Sequence, residues 1–302
     1  MANVSVKPRP NHGGWTKRNR IGFLYVCIWI FGFLVFQLYP FVSSLFYSFT
    51  SYDIFHKPEF VGLDNYVRLF PKDKEFWNSL TVTLKLSFST VPGKVVLALI
   101  MAMILNRELK GINFIRTVYY IPSLLSGSVA VAILWKVLFM NDGFINSLLG
   151  VIHIAPVKWL GRPEMALTTI CMLEIWQFGS SMVLFLSALK QVPQSLYEAA
   201  RIDGANAFQI YWRIFMPIMK PQLILVGVLN MITVWNDYLG PLIFLQDRSK
   251  FTLALGLASF KGVHSTQIIP MLCITVIMIL PPIIVFLFAQ KHIVEGTSGA
   301  IK

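Results

Sequence analysis

Residues 195–217, SLYEAARIDGANAFQIYWRIFMP, form the longest polar-patterned run between two very apolar blocks. The spacing predicts two short helices joined at a glycine. Ser195 with Glu198 three residues on is a capping box, which satisfies two orphan backbone donors at a helix start. Gly204 suits the left-handed residue that ends such a helix. Asn206 and Gln209 repeat the capping spacing and open a second helix. Its Phe208, Tyr211, Trp212 and Phe215 fall at i, i+3, i+4 and i+7, which predicts one apolar face. Pro217 and Pro221 are expected to close the segment before the next block. On periodicity alone the run reads as an amphipathic helix pair lying on a membrane surface.

Outward from this run the chain is apolar in both directions. Of 302 residues, 56% are hydrophobic and 13% charged, too apolar for a soluble domain of this size. Six blocks, at 21–47, 80–105, 118–140, 165–189, 222–245 and 268–290, each reach the roughly 20 helical residues that cross a bilayer core. The expected fold is all-α and polytopic: a six-span domain over residues 21–290 with a polar loop at 190–220, between tails at 1–20 and 291–302.

The formal charge of +12 raises nucleic acid as a partner, but its distribution excludes that reading. With the N-terminus inside, the inner segments hold 14 basic and 4 acidic residues and the outer segments 9 and 8. Lysine and arginine thus favour the side facing the cytoplasm. Both termini and the 190–220 loop are expected there, with the basic N-terminal tail beside anionic lipid headgroups. Cys27, Cys171 and Cys273 fall inside apolar blocks without metal-ligand spacing and read as buried small hydrophobes.

Polar residues inside the blocks are the candidates for function. Glu174, Gln177 and Ser181 share one helical face of the fourth block; Asn230, Thr233 and Asp237 repeat the spacing in the fifth. Lipid cannot satisfy such stripes, so they face protein or a water-filled path. Hydrogen-bonding glue between helices accounts for the Ser and Thr; for Glu174 and Asp237 a pathway stays level with it. Lys85 is placed to snorkel to the outer interface. Lys94, near mid-membrane beside Pro92-Gly93, calls for an acidic partner elsewhere in the bundle. Tyr39-Pro40 predicts a kink in the first block. Motifs for a P-loop, a zinc protease or a nucleophile elbow are missing, so neither ATP binding by a P-loop nor these enzyme chemistries follow from this chain.

The order Glu198-Ala199-Ala200, Gly204, then Ile214-Phe215-Met216-Pro217 resembles the signature loop of the membrane subunits of ATP-binding-cassette importers, with Met216 where leucine is usual. Pro193, Tyr197, Asp203 and Ala205 are similar to the carbohydrate-uptake branch, the maltose-type permeases, as are Phe60-Val61-Gly62-Leu63-Asp64-Asn65-Tyr66 and Trp159-Leu160-Gly161-Arg162-Pro163. Residues 235–242 and the tail 294–302 look more like the partner subunit of such importers, so the subunit type stays open.

The resemblance implies a permease subunit that moves a sugar or oligosaccharide by alternating access in the bacterial cytoplasmic membrane. ATP and Mg would be bound by a cytoplasmic ATPase dimer, and no cofactor by this chain. A second membrane permease subunit, different or identical, and an extracytoplasmic substrate-binding protein complete the assembly. It implies ATPase coupling through Tyr197, Glu198, Ala199, Ala200, Asp203 and Gly204, a contact of residues 296–302 with the ATPase, and a substrate path along the two polar stripes. The alternatives are an importer for another solute, such as a polyamine or a phosphorylated polyol, and a non-transport membrane protein.

Overall fold

The computed structural model describes residues 17–53, 56–107, 109–260 and 268–298. Among them the chain is helical apart from loops and one isolated antiparallel bridge, Thr50 with Phe60. Five helical stretches are long and apolar enough to span a bilayer: Gly22–Ser48, Lys74–Leu105, Pro163–Leu189, Ala207–Trp235 and Ile268–Lys291. The expected third span is the pair Ile112–Leu124 and Val129–Leu138, which meet at 99°. Counting that pair as one span gives the six expected from composition.

Lys74–Leu105 is the central element, packed against both halves of the fourth span and against the fifth. Ser79, Thr83, Ser87, Thr90 and Lys94 form a buried polar row along it at steps of four, four, three and four residues, a single helical face. Apolar clusters lie to either side of Lys94. Ala98, Leu99 and Ala102 meet Met182, Phe185 and Met219 on the side of the 190–220 loop; Leu86 meets Ile170, Leu173 and Val234 on the other. Gly179 lets the third and fourth spans touch, since a Cβ there would lie 2.5 Å from Tyr119 O. The first span contrasts with all of these. From residue 22 to 47 none of its residues is buried, although Tyr39–Ser48 packs against Ile268–Ser298.

Three expectations need correction. The fourth span is two helices, Pro163–Trp176 and Gly179–Leu189, broken at Gln177 and Phe178. The fifth does not run on to Leu245: it ends at Trp235, and Leu239–Phe244 is a separate short helix. Pro217 and Pro221 do not close the loop segment, because Ala207 to Trp235 is one continuous rod. Pro217 is instead met by a π-helical turn at Tyr211–Phe215. The same device stands before Pro40, where the π turn is Leu34–Leu38. A proline lacks the N–H of an α-helical bond, and its ring crowds the carbonyl four residues back. That carbonyl belongs to Phe36 in one case and Arg213 in the other, inside each π turn. Widening the turn relieves the clash without breaking the helix.

Candidate functional site

Two polar regions are candidates, the loop at one end of the spans and a cluster within them. In the loop, the first helix is Gln194–Ile202. It ends in a full Schellman motif: Ala205 N–H donates to Ala200 O at 2.9 Å and Gly204 N–H to Arg201 O at 3.1 Å, with Gly204 at φ +80°. A β-carbon resists that conformation, so the glycine is required as expected. The second helix opens with the capping box at Asn206 and Gln209, both bonds at 2.9 Å.

The first expected capping box is absent. Pro193, extended at φ −61° and ψ 132°, stands at the N-cap, so Ser195 already lies inside the helix. Glu198 accepts from Gln194 Nε2 at 2.8 Å instead.

The expected aromatic face is continuous but unevenly buried: Tyr211 and Trp212 meet edge to face at 5.3 Å and link the four rings. Phe208 and Trp212 meet edge to face at 6.2 Å and are exposed. Tyr211 and Phe215 stack at 5.2 Å, with Phe215 buried. Ile202 and Phe208, 86% and 70% exposed, give the loop an apolar foot. Tyr197, Glu198, Ala199, Ala200, Asp203 and Gly204 thus sit together on one capped turn of helix and its end. Tyr197 is half-buried, and burial pushes its phenol up from the ordinary range.

Within the membrane, Lys94 Nζ donates to Glu174 Oε2 at 3.1 Å, both side chains nearly enclosed. The expected acidic partner of Lys94 is therefore Glu174, and the pair ties the second span to the fourth. Such a pair is weak evidence for net stability, but removing one member strands a charge in a low-dielectric medium. Lys136 donates to Ile243 O at 3.0 Å, holding the bent third span to the short helix beyond the fifth.

The two predicted stripes are brought together only in part. Glu174 and Gln177 meet Asp237 and Ser128 around a cavity of about 30 Å³ at the bend of the third span, room for roughly one water. Asp237 has left the fifth helix and accepts from Gly240 N–H at 3.2 Å. Asn230 and Ser181 do not line this cavity; Asn230 Nδ2 donates to Ser181 Oγ at 2.9 Å and to Val226 O at 2.8 Å. Thr233 is exposed and bonded to Leu229 O on its own helix. The breaks at Gln177 and at Trp235 explain the split, since neither stripe continues along one helix.

Sequence reasoning missed the aromatic part. Trp135 and Trp176 pack at 5.1 Å and join the third and fourth spans, although neither lines the cavity. Trp135 Nε1 and Gln177 Oε1 are buried with no hydrogen-bond partner among the described residues, as are the hydroxyls of Ser87 and Thr90. The spacing of the second-span row was readable; the pairing of two tryptophans from different spans was not.

A capped loop between two spans, broken helices and a polar centre match a known family. The model for the inner membrane component of binding-protein-dependent transport systems matches residues 84–298. The chain belongs to that family. It is therefore a transport subunit and a multi-pass protein of the inner membrane.

A probable ABC transporter permease protein, YesP of Bacillus subtilis (strain 168), is 44% identical over 223 residues, 74% of this chain and 72% of that protein. The trehalose/maltose transport system permease protein MalF of Thermococcus litoralis is 36% identical over 217 residues, 70% of this chain and 72% of MalF. The fold is shared with a bacterial alginate ABC transporter solved in complex with an alginate pentasaccharide-bound periplasmic protein. The TM-score is 0.75 at 22% identity, over 91% of this chain and 94% of that one.

Proposed function

We propose that this permease subunit admits a sugar or oligosaccharide through the polar centre of its spans, driven by ATP hydrolysis in separate cytoplasmic subunits. The observation that carries the reading is the loop. A short helix closed by the Schellman motif at Gly204 and a second one capped at Asn206 make a stiff foot. The second helix continues without a break into the fifth span, so a push on the foot reaches the membrane as motion of a rod. The exposed Ile202 and Phe208 give an ATPase cleft an apolar surface to grip, and Glu198 faces a basic residue there. ATP binding closes the ATPase pair, the foot moves with it, and the spans rock from inward-open to outward-open. An external binding protein then delivers substrate.

A sugar fits the centre because its buried cation is already paired. Lys94 is held by Glu174, so it is not left for a phosphorylated polyol, while Lys136 donates to a backbone carbonyl. What remains at the cavity is Gln177 Oε1 and the Asp237 carboxylate, with Trp176 next to Gln177 in the chain and partly exposed. Hydroxyl-binding groups beside an aromatic face suit a carbohydrate. The cavity of about 30 Å³ is far too small for a sugar ring, so substrate enters only when the spans separate. The names of relatives such as the trehalose/maltose permease agree with this class.

The partners proposed are an ATPase dimer holding ATP and Mg, a second permease subunit covering the bare first span, and the binding protein. The proposal puts both termini in the cytoplasm. Of the tail proposed to touch the ATPase, the helix reaches Ser298, and residues 299–302 lie outside the described residues. The test is purification of the tagged chain from its native membrane in gentle detergent. Recovery of an ATPase, a second multi-span subunit and a sugar-binding protein is expected; recovery of the chain alone sinks the reading.

A further inference from the structure

The inner rim of the spans holds a second site, apart from the polar centre and sharing Tyr197 with the foot. A cleft of about 1100 Å³ opens between the turn joining the second and third spans and the segment leaving the fourth. Lys110, Asn113 and Arg116 line it from one side; Lys190, Gln191 and Tyr197 line it from the other. None of its described lining residues is acidic. Arg116 is locked in place, donating to Leu105 O at 2.6 and 3.2 Å and to Asn113 Oδ1 at 2.8 Å. Its charge is thereby built into the wall. Lys110 and Lys190 are exposed and form no ion pair among the described residues.

The position of the cleft narrows the ligand. It is rimmed by Ile112 and Leu189, an end of the third span and of the fourth, so it lies where the chain leaves the hydrocarbon. Apolar residues at that rim and three cations beside it match the junction of an acyl chain and a phosphate. Basic pockets between spans on the cytoplasmic side bind acidic headgroups in this way.

We propose that the cleft walled by Lys110, Arg116 and Lys190 binds a phosphate-bearing anion, the headgroup of an acidic phospholipid being the source that its depth favours. Tyr197 belongs both to this cleft and to the foot, so the bound anion presses on the lever from its membrane side. The proposal rests on the inward orientation of the loop given above.

The experiment is native mass spectrometry of the whole transporter from nanodiscs of phosphatidylglycerol and phosphatidylcholine, with and without added inorganic phosphate. It compares the unaltered chain, the double variant Lys110→Gln/Lys190→Gln and the charge-keeping Lys110→Arg/Lys190→Arg. Preferential retention of phosphatidylglycerol is expected. The glutamine double should weaken it roughly thirtyfold, the usual effect of two basic residues beside an anionic surface, and the arginine double should restore it. Phosphate that displaces the lipid, with the same loss in the glutamine double, upholds the site and makes soluble phosphate a competing source. Equal retention of the two lipids, or no change in the glutamine double, overturns the proposal. So does loss of the ATPase from the glutamine double, which would make the cleft a protein contact. An ATPase that stays bound while lipid preference is absent sinks this proposal alone and leaves the importer reading standing.

Discussion

The foot and the polar centre are both islands of polarity in an apolar chain, and they are held by opposite kinds of contact. The foot rests on bonds between near neighbours: Ala205 to Ala200, Asn206 with Gln209. The centre rests on Lys94 with Glu174, 80 residues apart, and Asn230 with Ser181, 49 apart. A locally closed unit keeps its shape wherever it moves. A unit assembled from distant helices exists only while those helices are together. The first arrangement suits a lever, and the second suits a site that forms and dissolves as the spans rock.

The largest effect that can break this contrast is at the ion pair. Lys94→Met strands Glu174 and should cost about 3–5 kcal/mol, seen as loss of the protein from the membrane or early thermal unfolding in detergent. Lys94→Met with Glu174→Gln should recover most of it. If the single variant is as stable as the parent, the centre is not held by that pair.

Gly204→Asp comes next. A β-carbon in the left-handed region costs roughly 1–2 kcal/mol, small for the fold but placed at the joint of the lever. The protein should insert normally and lose uptake while the ATPase runs uncoupled; unchanged uptake would separate the foot from coupling. Asn206→Ala removes a real cap and should cost about 1 kcal/mol, visible as faster amide exchange at Gln209. Trp176→Ala should raise the KM for uptake severalfold, given about 1 kcal/mol for an aromatic contact, with Trp176→Phe close to the parent. Equal effects of alanine and phenylalanine on assembly instead would make the ring structural. Ser195→Ala should change stability by less than about 0.5 kcal/mol, because Ser195 caps nothing.

The same contrast explains what was readable in the residues. Spans announce themselves by hydropathy, and the foot by caps and a glycine, all local signals. Gly204 and the box at Asn206 are therefore found where expected. The box at Ser195 fails because Pro193 starts the helix two residues early, a competition between two valid start signals. The breaks at Gln177 and at Trp235 leave no mark in periodicity, so Asp237 was placed on a helix it has left. That Lys94 needs an acid follows from burial; which of 14 acidic residues supplies it depends on packing that no window of sequence contains. The tryptophan pair was out of reach for the same reason.

The π turn at Tyr211–Phe215 has a consequence for chain length. A π turn amounts to one surplus residue absorbed as a bulge, so the helix before it and the helix after it keep their original facings. Shortening the chain by one residue within the turn, with Pro217 exchanged for a residue that has an N–H, should leave both the foot and the fifth span facing as they do now. Only the bulge between them would be lost. A chain so shortened should fold and assemble, and any fall in its transport rate would measure what the bulge itself contributes to the rod.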